Sequence, residues 1–432
     1  MAGQARTVGR AVAELEEHAV DRSEFLKHYR AYQRGHISRR TFLQVTGLGT
    51  AAAVIAACAP SATTSPVASE APSAAPTTGA ASEAPAASAG IDPLADWTPP
   101  QGVSLGDTLE LTTWPNYHDP KTLDRFTELT GVKINVTVFG SNEEMLAKLQ
   151  AGGTGWDVLV PTNYTFETYG KLKLLEPLDL AKIPRFDPSR YEARFLMPAH
   201  YPAGSPDLYG INKDWGTTGY VINTKNVTKP MTSWKDFWDL ARSDYSGKVT
   251  IHDYQLTAIG NALKYYGYSF NSVDPKELAD AEKLLLDVKP HLFAITSDYQ
   301  PAMRNRDAWI AMAWTGDAVQ LNRDIPEIQY VIGKEGGEIW SDFFAIVANA
   351  PHREAAYAFL DYMATPKVAA KDAEFHGYPV VDSAAIELLP DSMKSNPIVY
   401  PPADQLEPLE FGAAVTLTDP NRAELWARVK SA

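Results

Sequence analysis

From Leu109 onward the chain keeps alternating rhythms of apolar and polar positions. Every second residue is apolar over Leu109 and Leu111, and again over Val132, Ile134, Val136 and Val138, which predicts two half-buried strands. Between them Asp119 and Pro120 read as a helix cap and first helical residue. Leu123, Phe126 and Leu129 keep helical spacing, and Gly131 is a stop. Ser141 to Glu144 forms a capping box for a helix through Met145, Leu146 and Leu149. Residues 156–160 are a short apolar run, the pattern of a buried parallel strand. Strand, helix, strand, helix, strand makes an α/β lobe.

A second α/β rhythm follows residues 215–222, a strand punctuated by Gly216 and Gly219 that reads as a hinge crossing. It has a strand at 248–251, helices through Leu263 and from Asp274, and a strand at 309–314. A helix over 317–323, a strand around 328–332 and a strand through Phe343 and Ile346 come next. Helices over 351–363, 367–375 and 421–429 complete the chain. Two lobes joined by crossing strands enclose a cleft, and a cleft lined from both sides is a binding site by default.

Ligands of parallel sheets sit beyond the carboxyl ends of the strands. That rule singles out Trp114, Asn116 and Tyr117 after the first strand, and Thr162, Asn163 and Tyr164 after the third. The stretch 309–344, WIAMAWTGDAVQLNRDIPEIQYVIGKEGGEIWSDFF, adds a sharper signal. It predicts two buried strands, each ending in an aromatic paired with a carboxylate: Trp314 with Asp317, and Trp340 with Asp342. An aromatic face beside a desolvated carboxylate is a receptor for a cation. The bland alternative is two core indoles with two surface caps.

Composition narrows the partners. The 432 residues carry a net charge of −14, which repels phosphate backbones and argues against nucleic acid. A chain of this length needs more than one core. The single cysteine, Cys58, excludes internal disulfides and cysteine-based metal sites. Its context is an address: paired Arg39 and Arg40, an apolar stretch over 42–57, and small residues before Cys58. Residues 1–57 therefore read as a twin-arginine lipoprotein signal with a long leader, and Cys58 as the lipid acceptor. At 16 residues the apolar stretch is short for a spanning helix. Residues 58–100 then read as lipidated cysteine and Ala/Pro/Ser/Thr tether, with too little apolar surface in 59–90 to bury a core.

The chain has no G-x-S-x-G, H-E-x-x-H, P-loop or G-x-G-x-x-G motif, and its nine histidines are scattered. No cofactor, metal or enzymatic activity is expected. The weak enzymatic alternative is an exported hydrolase using Asp317 and Asp342 as acid and base.

Taken together, LTTWPNY (111–117), FTELTGVKINV (126–136), SNEEMLAKL (141–149), DVLVPTNY (157–164), WGTTGYVIN (215–223), KEGGEIWSD (334–342) and GYP (377–379) resemble the spermidine/putrescine-binding periplasmic proteins of ABC importers. The resemblance implies a two-lobed type II periplasmic-binding-protein fold, with mixed, mostly parallel sheets flanked by helices and the ligand between the lobes. One lobe would comprise 101–217 plus 342–387, and the other 218–341 plus 388–432. It implies ligand contacts at Trp114, Tyr117, Thr162, Tyr164, Trp314, Trp340, Asp342 and Tyr378. Asp317, in its Trp-x-Gly-Asp setting, resembles the carboxylate of putrescine-type members. The implied partners are a small cationic ligand, the permease subunits of an importer and the membrane through Cys58, with the chain itself a monomer.

Departures from the family pattern fall at Asn116, where an acid is usual, at Tyr254 and Thr257, where spermidine-type members carry acids, and at Gly412, where Gln is usual. Asp253 stands next to one of them. Fewer carboxylates predict fewer amines, hence a diamine over a triamine, because a buried unpaired ammonium costs several kcal/mol. Another small cationic or polar solute is the alternative ligand.

Overall fold

The structure, a computed structural model, describes residues 97–152 and 155–432. All of them fall in the unit Pro93–Ala432. The twin-arginine pattern, Cys58 and nearly all of the tether lie outside the described residues. No helix among the described residues is long and apolar enough to cross a membrane.

Trp97, expected at the end of the tether, belongs to the core. It is 1% exposed, donates from Nε1 to Asp361 Oδ2 at 2.8 Å and packs on Phe126 and Tyr362. An indole held in this way removes about 2–3 kcal/mol worth of apolar surface from water, so the globular part begins before residue 100.

The first lobe has the elements its pattern predicts, although the strand expected to bury alternate residues leaves Val136 and Val138 about half exposed. Strand β1 (Thr108–Thr113) lies between β2 (Lys133–Val138) and the two-residue β3 (Val158–Leu159), all parallel. Asp119 caps the helix Pro120–Thr130 by accepting from Lys121 N, and Gly131 ends it with a left-handed φ of 77°. Ser141 caps the helix Asn142–Gln150, but the Glu144 carboxylate turns back to the N–H of Gly140 and not to that of Ser141.

Two long strands then cross the molecule. Strand β4 (Ile211–Asn223) is buried along all 13 residues. In the second lobe it pairs antiparallel with β7 (Ile310–Trp314) on one side and with β8 (Ile328–Val331) on the other. Beyond β7 lie the parallel strands β5 (Val249–Ile251) and β6 (Leu292–Ile295). Strand β9 (Gly337–Ile346) pairs with β4 over residues 338–344 and with β3 at its far end. Strand β10 (Leu409–Phe411) flanks its start. Trp340 and Asp342 therefore sit in mid-strand rather than at a strand end.

Strands β6 and β10 have no period of their own in the sequence, being short and only partly buried. The helices Arg353–Met363 and Pro366–His376 pack on the first lobe, and the helix Pro420–Ser431 packs on the helices of the second. The result is a two-lobed α/β fold in which β4 and β9 are the shared spine.

Candidate functional site

Where β4 and β9 pair, side chains on one face are set by the two-residue period of a strand. Register places Asp214 opposite Asp342, Gly216 opposite Trp340 and Thr218 opposite Glu338, while Thr218 also faces Trp314 across β7. The cleft floor is thus a small grid. Gly216 has a specific task in it, since a Cβ there would stand 2.6 Å from the Trp340 ring; only glycine lets the indole lie across the strand.

Aromatic walls rise from both lobes. Trp114, at the end of β1, has its ring centroid 6.1 Å from that of Trp314, at the end of β7. Trp314 stacks on His252 at 4.0 Å, which leaves its other face to the cleft. Burial holds His252 at a pKa of about 3, so it acts as a neutral aromatic. Tyr378 bridges Tyr117 and Trp340, at 5.3 and 5.2 Å. It can pack there because Gly316 leaves room: a Cβ at 316 would meet the Tyr378 ring at 2.4 Å. That explains the glycine between Trp314 and Asp317.

Carboxylates line the same space. Asp317 lies in the first turn of the helix Thr315–Asp324; burial pushes its pKa up to about 6, against hydrogen bonding from Tyr299 and Gln300. Asp342 is pushed up to about 7, first by burial and then by Asp214 across the strand pair. Glu338 is pushed up to about 8, chiefly by burial. The Tyr117 hydroxyl contacts both Asp214 and Asp342 Oδ2, the latter at 2.8 Å. One hydroxyl has one proton, so it can donate to only one of these acids at a time. Asp342 Oδ1 makes no hydrogen bond among the described residues.

Behind Tyr117 the network continues. Lys213 Nζ lies 2.9 Å from Asp214, 3.3 Å from Asp372 and 4.0 Å from the Tyr117 ring centre. Burial lowers the Lys213 pKa, but the two carboxylates outweigh it and hold the ammonium charged. His118 and His376 pack against Asp372, and burial keeps both uncharged. One cation therefore serves three buried acids: Asp214, Asp342 and Asp372.

Of the sequence candidates, Trp114, Asn116, Tyr117, Thr162, Trp314, Asp317, Trp340, Asp342 and Tyr378 line one cavity, about 570 Å³ of unfilled space partly open to solvent. Asn116 sits at the exposed rim with a left-handed φ of 57°, which asparagine tolerates better than most residues. Tyr164 does not line the cavity. It stands behind the wall with its hydroxyl 2.5 Å from that of Tyr254, which takes the lining position.

Asp253 also stays out, turned away to pair with Lys430. Ser297, Asp298, Gln300 and Glu338 line the cavity without having been foreseen. Glu338 was legible: it precedes Trp340 by two, as Trp340 precedes Asp342, and so shares their face.

Two lobes closing on a cavity of this kind define a ligand-capturing protein rather than a structural one. The family of bacterial extracellular solute-binding proteins matches residues 121–401. The chain is 31% identical over 329 residues to the spermidine/putrescine-binding periplasmic protein of Escherichia coli (strain K12), covering 75% of this chain and 92% of that one. It is 30% identical to the putrescine-binding periplasmic protein PotF of the same organism, covering 75% and 91%. Among solved structures it resembles the spermidine/putrescine ABC transporter substrate-binding protein PotD from Streptococcus pneumoniae (29% identity, 76% and 99% covered, TM-score 0.61). It also resembles the Tp0655 lipoprotein of Treponema pallidum (25% identity, 75% and 99% covered, TM-score 0.64). The chain belongs to this family of bacterial extracellular solute-binding proteins.

Proposed function

We propose that the protein is the extracytoplasmic receptor of an ABC importer and that its cleft captures a polyamine, putrescine-like or spermidine-like, as the ammonium ion. The observation that carries this is the crowding of acids beneath the cleft. Among the described residues Lys213 is the one ammonium set against Asp214, Asp342 and Asp372, and Asp342, which lines the cavity, has an oxygen without a hydrogen bond. An ammonium on Asp342 relieves that crowding. Asp317 takes a second nitrogen, and Trp114, Trp314, Trp340 and Tyr378 lie along the methylenes, with Tyr117, Thr162 and Asn116 completing the shell.

Closure of lobe 101–217 plus 342–387 on lobe 218–341 plus 388–432 buries the ligand and presents the closed form to the permease. The periplasmic location of the Escherichia coli relatives supports export, and the lipoprotein nature of the Treponema relative supports an anchor at Cys58. Calorimetric titration with putrescine, spermidine, choline and an amino acid tests the reading. We expect saturable heat with a polyamine alone; no heat with any amine overturns it.

A further inference from the structure

We propose that Glu338 is a third ligand-facing carboxylate and that it tunes the cleft for a linear triamine over a diamine. The inference rests on the polyamine reading above and names the member of that class. Glu338 is 1% exposed yet lines the cavity. Its Oε2 accepts from the Thr218 hydroxyl at 2.6 Å. Opposite Thr218 on the other side stands Trp314, so the third row of the grid repeats the pairing of an aromatic with a carboxylate.

Length favours the triamine. Glu338, Trp340 and Asp342 share one face, and four residues of strand separate the two acids by about 13 Å between Cα atoms. With single bonds near 1.5 Å, each advancing an extended chain by roughly 1.25 Å, a four-carbon diamine spans about 6 Å between nitrogens. A triamine with a further three-carbon arm spans about 11 Å on the same geometry, enough to place nitrogens toward both acids across the Trp340 face. Tyr254, the cap of the helix Gln255–Tyr265, lines the same cavity but carries no charge to pair with an amine, which leaves that task to Glu338.

The charged and titratable groups facing Glu338 are Asp342 on its own strand, Glu143 from the helix Asn142–Gln150, Tyr254, Tyr330 from β8, and Arg422 from the C-terminal helix. Arg422 is committed to the backbone carbonyls of Ser272 and Leu256. Burial leaves Glu338 largely protonated at neutral pH, so an ammonium that docks there must displace a proton.

The test uses the full-length chain and Glu338→Gln, which keeps an acceptor for Thr218. Calorimetry should show triamine affinity falling roughly ten- to a hundredfold and diamine affinity changing less than about threefold. Equal losses for both amines, or no loss, overturn the inference and leave the polyamine reading intact. The unmodified chain gives a second readout free of any folding defect. Titrated at pH 7 in buffers of different ionisation enthalpy, it should release protons on binding triamine and fewer on binding diamine. Equal release overturns the inference too. If the unmodified chain binds neither amine, the polyamine reading fails and takes the inference with it.

Discussion

Asp342 and Asp317 look equivalent in the sequence, each just beyond a tryptophan, yet the molecule supports them differently. Asp342 sits in the middle of β9 and is wired through Tyr117 to Asp214, Lys213, Asp372 and two buried histidines. Asp317 sits at the start of a helix with Tyr299 and Gln300 as neighbours. The first is part of a buried charge network that spans both halves of the first lobe's fold. The second is a local feature, helped by the partial positive charge of a helix N-terminus. Charge at Asp342 is therefore tied to a long-range buried network, and at Asp317 to its own helix turn and two neighbours.

The largest expected effect tests that network directly. Replacing the shared cation, Lys213→Met, leaves Asp214 and Asp372 buried without a positive charge and should cost about 3–5 kcal/mol in denaturant unfolding. A cost below about 1 kcal/mol would break the network argument. Next comes Asp342→Ala, which should lower polyamine affinity by about 2–5 kcal/mol in calorimetry. The same change should not destabilise the ligand-free protein, because it relieves the like charges facing each other across β4 and β9. Asp317→Asn should cost less, about tenfold in affinity, and should not destabilise the ligand-free protein, because burial disfavours the charge it removes. If the two substitutions at 342 and 317 proved equal, the distinction between them would fall.

The smallest effect is a slope. The folded-state pKa values of Asp317, Asp342 and Glu338, about 6, 7 and 8, stand above the unfolded carboxylate range near 4. Through these groups the folded chain binds more protons than the unfolded chain between those limits, which lowers stability as pH rises. Below about 6.5 the buried neutral His118, His252 and His376 oppose this, because the unfolded chain protonates its histidines; above about 7 the raised carboxyls dominate and stability falls as pH rises to about 8. Asp372 works the other way, being held well below the usual range, and its contribution is lost only as pH falls beneath about 4. Ligand-free protein should melt at a lower temperature at pH 8.5 than at pH 7, while polyamine affinity rises over the same interval. A melting temperature that climbs over that interval would contradict the assigned shifts.

What the sequence displayed and what it concealed follow one physical line. Periodicity within a strand, caps at helix ends and aromatics beside carboxylates are local, and they located Trp114, Tyr117, Trp314, Asp317, Trp340 and Asp342. Glu338 obeyed the same period but was passed over because its own neighbours, Gly337 and Ile339, offered no aromatic. The cluster beneath the cleft draws on positions 118, 213, 214, 372 and 376, which only the packing of the helix Pro366–His376 against the spine brings together. Tyr164 was misplaced for a related reason: the sequence put it in the right loop, and Tyr254, from the other lobe, decided which phenol faces the cavity. Long-range partners of that sort leave no trace in spacing.

The paired run of β4 and β9 has a mechanical meaning. It forms a hydrogen-bonded ribbon between the lobes, broken once by a register shift between Asn212 and Asp214 and buried along its whole length. A ribbon of this kind behaves as a torsion bar: rotation of one lobe against the other is spread over several residues instead of being concentrated at a single swivel. Asp342, Trp340 and Glu338 are mounted on that bar. On the proposed function, a cation held there pulls on the very element that must twist for the cleft to shut, which would make capture and closure one mechanical event.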